Sequence, residues 1–319
     1  MREALPAGPF PDLLVGPQSA DDAGVYRLNA EQALIATTDF FMPIVDDPHD
    51  FGRIAACNAL SDIYAMGGQP IMALSLVGMP INTLPHATIA AILAGGAAVC
   101  QQAGIPVAGG HSIDAVEPIY GLAAMGLAHP EQIKRNDQAR AGDALILSKP
   151  LGVGILSAAL KKGELDADNY QALIDSTTLL NSAGTHLAKL DAVHAMTDVT
   201  GFGLLGHTLE MCRGAHLHAD LQFDHLPWLG DAQKLAAAGL QTGASARNWQ
   251  ACRAQATVAA TLPPQAQALV ADPQTSGGLL IACANDVVAE VLALLRQDGF
   301  AHAACIGHLH SGPVHVAVS

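Results

Sequence analysis

Apolar residues along the chain fall into two alternating patterns. Short unbroken runs stop at a glycine or an acid, and longer stretches repeat apolar or small residues at helical spacing. Residues 33–38 (Ala-Leu-Ile-Ala-Thr-Thr) read as a strand that ends at Asp39. Ile54, Ala55 and Ile63 recur at helical spacing, which predicts a helix over 49–66 terminated by Gly67-Gly68 and Pro70. A buried strand follows over 71–77, then an Ala-rich helix over 88–103 closed by Gly104. Residues 105–108 read as a strand entering a turn, Gly109-Gly110-His111-Ser112, and 119–128 as a strand interrupted by Gly121 and Gly126.

Residues 130–142 break this rhythm. They are polar, with Glu131, Lys134, Arg135, Asp137 and Arg140, and they mark a domain boundary. Beyond them the pattern predicts a strand over 144–148, helices over 153–162 and 170–190, and a strand over 193–196 that leads into Thr197-Asp198-Val199-Thr200-Gly201. A helix over 204–212, a strand over 217–223 and a helix over 231–239 follow. Periodicity is weak over 243–262, and 266–271 is apolar. A strand over 277–284 is entered from Asp272-Pro273-Gln274-Thr275-Ser276, a helix covers 287–297, and the end returns to strands. Alternating strands and helices in both halves predict an α/β (α+β) protein, and there is no internal repeat.

Composition narrows the function. The 319 residues suffice for two domains, and a hydrophobic half with 14% charged residues can bury enough apolar surface to fold. With 29 acidic against 15 basic residues the formal charge is −14, and the densest basic feature is the pair Lys161-Lys162, so nucleic acid is not an expected partner. An acidic protein that handles phosphates does so through metal ions and backbone amides. No apolar run is long enough to span a membrane, and Met1 to Pro11 lacks the apolar core of a signal peptide, which predicts the cytoplasm. The nearest two of the six cysteines are Cys283 and Cys305, so there is no CxxC pair, and reduced buried thiols are expected.

Several acids sit beside strand ends or glycine turns: Asp21, Asp22, Asp39, Asp62, Asp198 and Asp272. Each alone could be a helix cap or turn residue. Together they suit Mg²⁺, a hard cation held by one or two carboxylates and by substrate phosphates. Asn58 and Asp62 lie four apart and share a helix face. No GxxxxGK[ST] loop is present, and the amides of Gly109-Gly110-His111-Ser112 offer a lysine-free phosphate cradle or a plain turn. Gly201, Gly203 and Gly206 match GxGxxG after a strand, with Asp220 beyond the next one, which supplies a rival reading as a nicotinamide-dependent oxidoreductase. Asp198 weighs against it, placing an anion where a pyrophosphate would approach. The spaced pairs His216/His218 and His308/His310 read as surface residues.

Longer motifs resemble those of the selenophosphate synthetase family (selenide, water dikinases). They are Leu13-Leu14-Val15-Gly16 with Asp21-Asp22-Ala23; Thr37-Thr38-Asp39-Phe40-Phe41-Met42-Pro43; Asn58-Ala59-Leu60-Ser61-Asp62-Ile63-Tyr64-Ala65-Met66-Gly67-Gly68; Ala108-Gly109-Gly110-His111-Ser112; Met196-Thr197-Asp198-Val199-Thr200-Gly201-Phe202-Gly203; and Asp272-Pro273-Gln274-Thr275-Ser276-Gly277-Gly278. The resemblance runs from about Leu13 to the C-terminus. It implies the two-domain fold of the aminoimidazole ribonucleotide synthetase-like superfamily, with mixed sheets flanked by helices. The expected domains are an ATP-binding and dimerisation domain over 21–128 and a C-terminal domain over 140–319. It also implies a homodimer that converts ATP, selenide and water to selenophosphate, AMP and phosphate. Carried over by position, Asp22, Asp62 and Asp198 look like Mg²⁺ ligands. Ser19, Ala20, Asp21, Asp39 and Asp62 resemble nucleotide-site positions, as do Gly110, His111 and Ser112, which would reach ATP across the dimer.

The family also places a catalytic Cys or selenocysteine, followed by a lysine, on a flexible N-terminal arm. Met1 to Pro11 contains neither residue type, so 1–20 would be the remnant of that arm and no catalytic nucleophile is expected in the chain. A truncation, a start assigned downstream of a selenocysteine codon, or a nucleophile-free paralogue would each account for this. The expectation is Mg-ATP binding with impaired turnover. The remaining alternative is a regulatory dimer of the same fold without catalysis.

Overall fold

The computed structural model describes residues 10–17 and 21–319, so the expectations for 1–9, Ser19 and Ala20 fall outside the described residues. In chain order the elements begin with β1 (Leu13–Val15), β2 (Gly24–Arg27), β3 (Ala33–Phe41), α1 (Pro48–Ala65), β4 (Gln69–Met79), α2 (His86–Gln102), β5 (Val107–Asp114) and β6 (Ile119–Ala128). They continue with β7 (Ala144–Leu147), α3 (Val153–Lys161), α4 (Ala167–Thr177), α5 (Ala183–Leu187), β8 (Val193–Asp198), α6 (Gly203–Ala215), β9 (Leu217–Leu221) and α7 (Ala232–Ala237). The last are α8 (Gly243–Cys252), β10 (Ala256–Val258), α9 (Ala266–Val270), β11 (Leu279–Cys283), α10 (Val288–Gln297), β12 (Ala304–Ser311) and β13 (His315–Val318). They form two compact units, one of residues up to Ile133 with Leu180–Lys189, the other of Lys134–Leu179 and Leu190–Ser319.

The first unit is a mixed sheet of order β1-β2-β3-β6-β4-β5, in which only the β4–β5 pair is parallel. α1 starts where the Asp47 side chain accepts from the Asp50 amide, with Pro48 at the first turn, a favourable N-terminus because proline lacks the N–H that would go unbonded. From Phe51 onward every residue of α1 except Arg53 and Asp62 is buried, and the helix crosses α2 at glycines: a Cβ on Gly52 would sit 1.9 Å from the Ile92 carbonyl, and one on Gly95 2.0 Å from that of His49. β5 is exposed along its whole length at the sheet edge. The expected turn at Gly109-Gly110-His111-Ser112 is therefore strand. Gly110, at φ 152°, passes so close to β4 that a Cβ would lie 2.1 Å from the Ser75 carbonyl, an approach that local sequence does not reveal.

The second unit is a sheet of order β10-β13-β9-β12-β7-β11-β8. Both β7 and β11 are entirely buried, and Leu145, Leu147, Leu205, Leu209, Leu280 and Ile306 belong to one apolar core. The helix expected over 170–190 is two helices. Between them Asn181 donates through Nδ2 to Ser61 Oγ at 2.7 Å, and within α5, which belongs to the first unit, Thr185 Oγ1 donates to the Gly68 carbonyl at 2.6 Å. These tertiary bonds override a continuous helical pattern. The weakly periodic 243–262 contains α8, capped by the Thr242 hydroxyl on the Ser245 amide at 3.0 Å, and then β10.

Candidate active site

The inner face of β3 changes character along its length. Ala33 and Ile35 are buried in the core, and the same alternation then presents Thr37 and Asp39, which meet the polar residues of α1. Asn58 and Asp62, one helical turn apart, answer them. Thr37 Oγ1 donates to Asp62 Oδ2 at 2.5 Å, and Asn58 Nδ2 donates to Asp39 Oδ2. Burial lifts the Asp39 carboxyl above the usual carboxylate range, against the opposing pull of the Phe40 amide and Asn58. Strand β6 comes in tightly beneath: a Cβ on Gly121 would lie 2.0 Å from the Asp39 carbonyl. Asp21 and Asp22, both half-buried, precede β2, and the β2–β3 register, with Gly24 opposite Ala36, brings them toward the Thr37–Asp39 end of β3.

In the second unit Asp198 ends β8 opposite Leu279 and is 1% exposed. The loop that follows is held from several sides. The Val199 amide donates to the Gly278 carbonyl at 2.9 Å, and the Gln274 amide to that of Thr200 at 2.9 Å. The Thr200 amide donates to Nε2 of buried His207 at 3.1 Å. Burial depresses His207 to about 4, so its imidazole is neutral and Nε2 serves as an acceptor. This anchor was not visible in the sequence, although His207 directly follows the third glycine of GxGxxG, one helical turn into α6.

Those glycines are packing residues. β8 is an edge strand bonded to β11, and β9 lies four places away in the sheet, so the adjacent parallel βαβ pair of a dinucleotide site is absent from this segment. A Cβ on Gly203 would meet the Ala271 carbonyl carbon at 2.8 Å, and one on Gly206 the Phe202 Cβ at 2.5 Å.

Asp272 is likewise structural. Its Oδ2 accepts from the Gly154 and Ile155 amides at 3.0 and 3.3 Å, while Gln274 Oε1 accepts from those of Gly152 and Val153, both at 3.1 Å. Two side chains thus satisfy four amides at the start of α3, which accounts for Asp272-Pro273-Gln274 as a capping device. Burial outweighs these donors and lifts Asp272 to about 7.

Five of the six cysteines carry the opposite of thiol activation. Burial raises Cys100 to about 11 and Cys212 and Cys283 to about 12, and the shifts of Cys252 and Cys305 also run upward. Among the described residues no three His, Cys, Asp or Glu side chains gather as a ready metal-ligand set. Asp22 and Asp62 belong to the first unit and Asp198 to the second. Their all-oxygen chemistry, with the Thr37 hydroxyl beside Asp62, fits a hard cation such as Mg²⁺. No helix of the described residues is long and apolar enough to cross a membrane.

The two sheets with their helices, and acids placed at strand and helix ends, define a two-domain α/β protein. Residues 20–128 match the model of the AIR synthase related protein N-terminal domain, and residues 140–318 that of its C-terminal domain. The chain is 64% identical over 319 residues to the selenide, water dikinase of Burkholderia orbicola (strain MC0-3), covering 100% of this chain and 90% of that protein. It is 65% identical to that of Burkholderia pseudomallei (strain K96243), with the same coverage. A solved structure described as AaThiL complexed with AMPPCP and TMP shares the fold, with a TM-score of 0.67 at 20% identity over 93% of this chain and 87% of that one. The chain belongs to the AIR synthase related proteins and, within them, to the selenide, water dikinase family. The relatives give no support to impaired turnover, to a nicotinamide enzyme or to a non-catalytic dimer.

Proposed function

We propose that this protein makes selenophosphate, converting ATP, selenide and water to selenophosphate, AMP and phosphate. The observation that carries the reading is its 64–65% identity, over the whole chain, to proteins named for selenide and water dikinase activity. The pairing of Asp39 with Asn58 and of Asp62 with Thr37 supports it, because each carboxylate is held in one orientation by a side chain on the neighbouring element. In this reading Asp22 and Asp62 in the first unit and Asp198 in the second are Mg²⁺ ligands, and Asp21 and Asp39 belong to the nucleotide site. Bound Mg²⁺ would offset the charge of the triphosphate. The protein's own part is to fix the acids before the nucleotide arrives: α1 and β3 lock Asp39 and Asp62, and the His207–Thr200 bond steadies the loop after Asp198.

The reading includes a homodimer. Ile113 and Val116 stand 58% and 96% exposed at the open edge of β5 and just after it, and Phe40 of β3, 52% exposed, lines one apolar depression with Ile113, so a second copy would cover an apolar surface and an unpaired ladder. Gly110, His111 and Ser112 lie on that edge, where they could reach a partner's nucleotide.

Phosphorus NMR of the protein with Mg-ATP, with and without selenide, tests the activity. Selenide-dependent appearance of selenophosphate with equal AMP and orthophosphate is expected. Accumulation of ADP, or AMP release at the same rate without selenide, would overturn the reading.

A further inference from the structure

Two histidine pairs that are remote in sequence meet on the outer face of the second unit's sheet. β12, β9 and β13 are adjacent, and the ladder sets His310 directly across from His218, and His218 directly across from His315. Leu217, Ala219 and Leu221 are buried, so the alternate residues of β9, His218 and Asp220, point outward together. His308 lies across from Asp220 in the next register position.

These side chains already touch. His218 Nε2 is 3.0 Å from Asp220 Oδ1, and His310 Nε2 is 3.3 Å from Asp220 Oδ2. The His315 ring stacks on that of His218 at 5.5 Å and 19°, and its own Nε2 lies 3.0 Å from Thr257 Oγ1, which holds the cluster on its other flank. Nothing in the proposed reaction uses any of them.

We propose that His218, Asp220 and His310, with His308 as a further donor, bind a transition-metal cation of the Zn²⁺, Ni²⁺ or Cu²⁺ class. Imidazole with one carboxylate is the donor set such ions favour, and it differs in kind from the all-oxygen acids assigned to Mg²⁺. Spacing agrees. Two ligands of a tetrahedral ion at bond lengths of about 2.0–2.1 Å stand about 3.3 Å apart, and the two nitrogen–oxygen separations here are 3.0 and 3.3 Å. Asp220 is hydrogen-bonded to His218 and lies 3.3 Å from His310 Nε2, and the three donors do not converge on one point, in keeping with the absence of a ready ligand set among the described residues. The cation takes the place of those contacts. Each imidazole that donates through Nε2 moves its proton to Nδ1 and frees Nε2 to bind, so the exchange needs no net proton release. Two neighbouring strands, β9 and β12, fix the backbone positions, leaving only side-chain rotation to complete the site.

Calorimetric titration of the chelator-treated protein with ZnCl₂, in saturating Mg²⁺ to occupy oxygen sites, tests this. One Zn²⁺ per chain is expected. H310Q and D220N should each weaken uptake at least tenfold, and H216N, which removes a neighbouring exposed histidine, should leave it unchanged. Co²⁺ substitution should give the visible absorption of a tetrahedral site in the wild type and not in H218Q. Zinc uptake that is absent, or that stays within twofold of wild type in H310Q and D220N while their circular dichroism is native, would overturn the proposal.

Discussion

His207 and Asp272 are buried side chains whose work is to satisfy backbone amides. His207 accepts from Thr200, and Asp272 from Gly154 and Ile155. H207L would keep the volume but leave the part-buried Thr200 N–H unbonded, at a cost near the lower end of about 1–3 kcal/mol. H207Q, which retains an acceptor, should recover most of it in urea unfolding. Asp272 predicts a pH dependence. Between the ordinary aspartate value and about 7 the folded protein holds a proton that the unfolded chain has lost, so stability falls as pH rises through that window. The drop is on the order of 4 kcal/mol at about 1.4 kcal/mol per pH unit. D272N lacks this slope, so its deficit against wild type should shrink from pH 5 to pH 7; parallel curves would contradict the assignment. At this scale the sequence was legible where an acid ends a strand, as with Asp198, whereas Asp39 lies inside β3, which runs on to Phe41 because β6 keeps pairing with it. It was not legible for Asp272, whose partners lie 117 and 118 positions away. Distance along the chain hides a cap that local pattern would otherwise show.

Among the elements, β5 departs most from its sequence reading. Gly109-Gly110 looked like a turn, yet both lie in a strand, and at Gly110 glycine is needed for close approach to Ser75 rather than for reversal. GxGxxG misled for a related reason. The motif reports a strand, a tight turn and a helix, all of which are present, but it carries no information on which strands become neighbours. α1, by contrast, was readable because its small and apolar residues recur through its whole length. The exposed β5 edge and the apolar face beside it carry a prediction. I113D should shift the sedimentation coefficient from dimer to monomer at micromolar concentration without lowering the melting temperature of the isolated fold by more than a few degrees. A wild-type protein that sediments as a monomer would contradict the dimer.

For the whole molecule, the alternation of strands and helices and the polar stretch near Ile133 made two units legible, while the passage of Leu180–Lys189 into the first unit was not. That crossing depends on Asn181 and Thr185 bonding to Ser61 and Gly68, contacts without a local signature. The net charge of −14 fits a protein that meets a polyanionic nucleotide through a cation, with Asp22, Asp62 and Asp198 as the proposed ligands. Equilibrium binding of ATP with and without Mg²⁺, to the wild type and to D62N and D198N, tests this most directly. Tight binding that weakens at least tenfold when Mg²⁺ is removed, and comparably in each variant, is the expected result. Binding of ATP that is indifferent to Mg²⁺ and to both substitutions would contradict it.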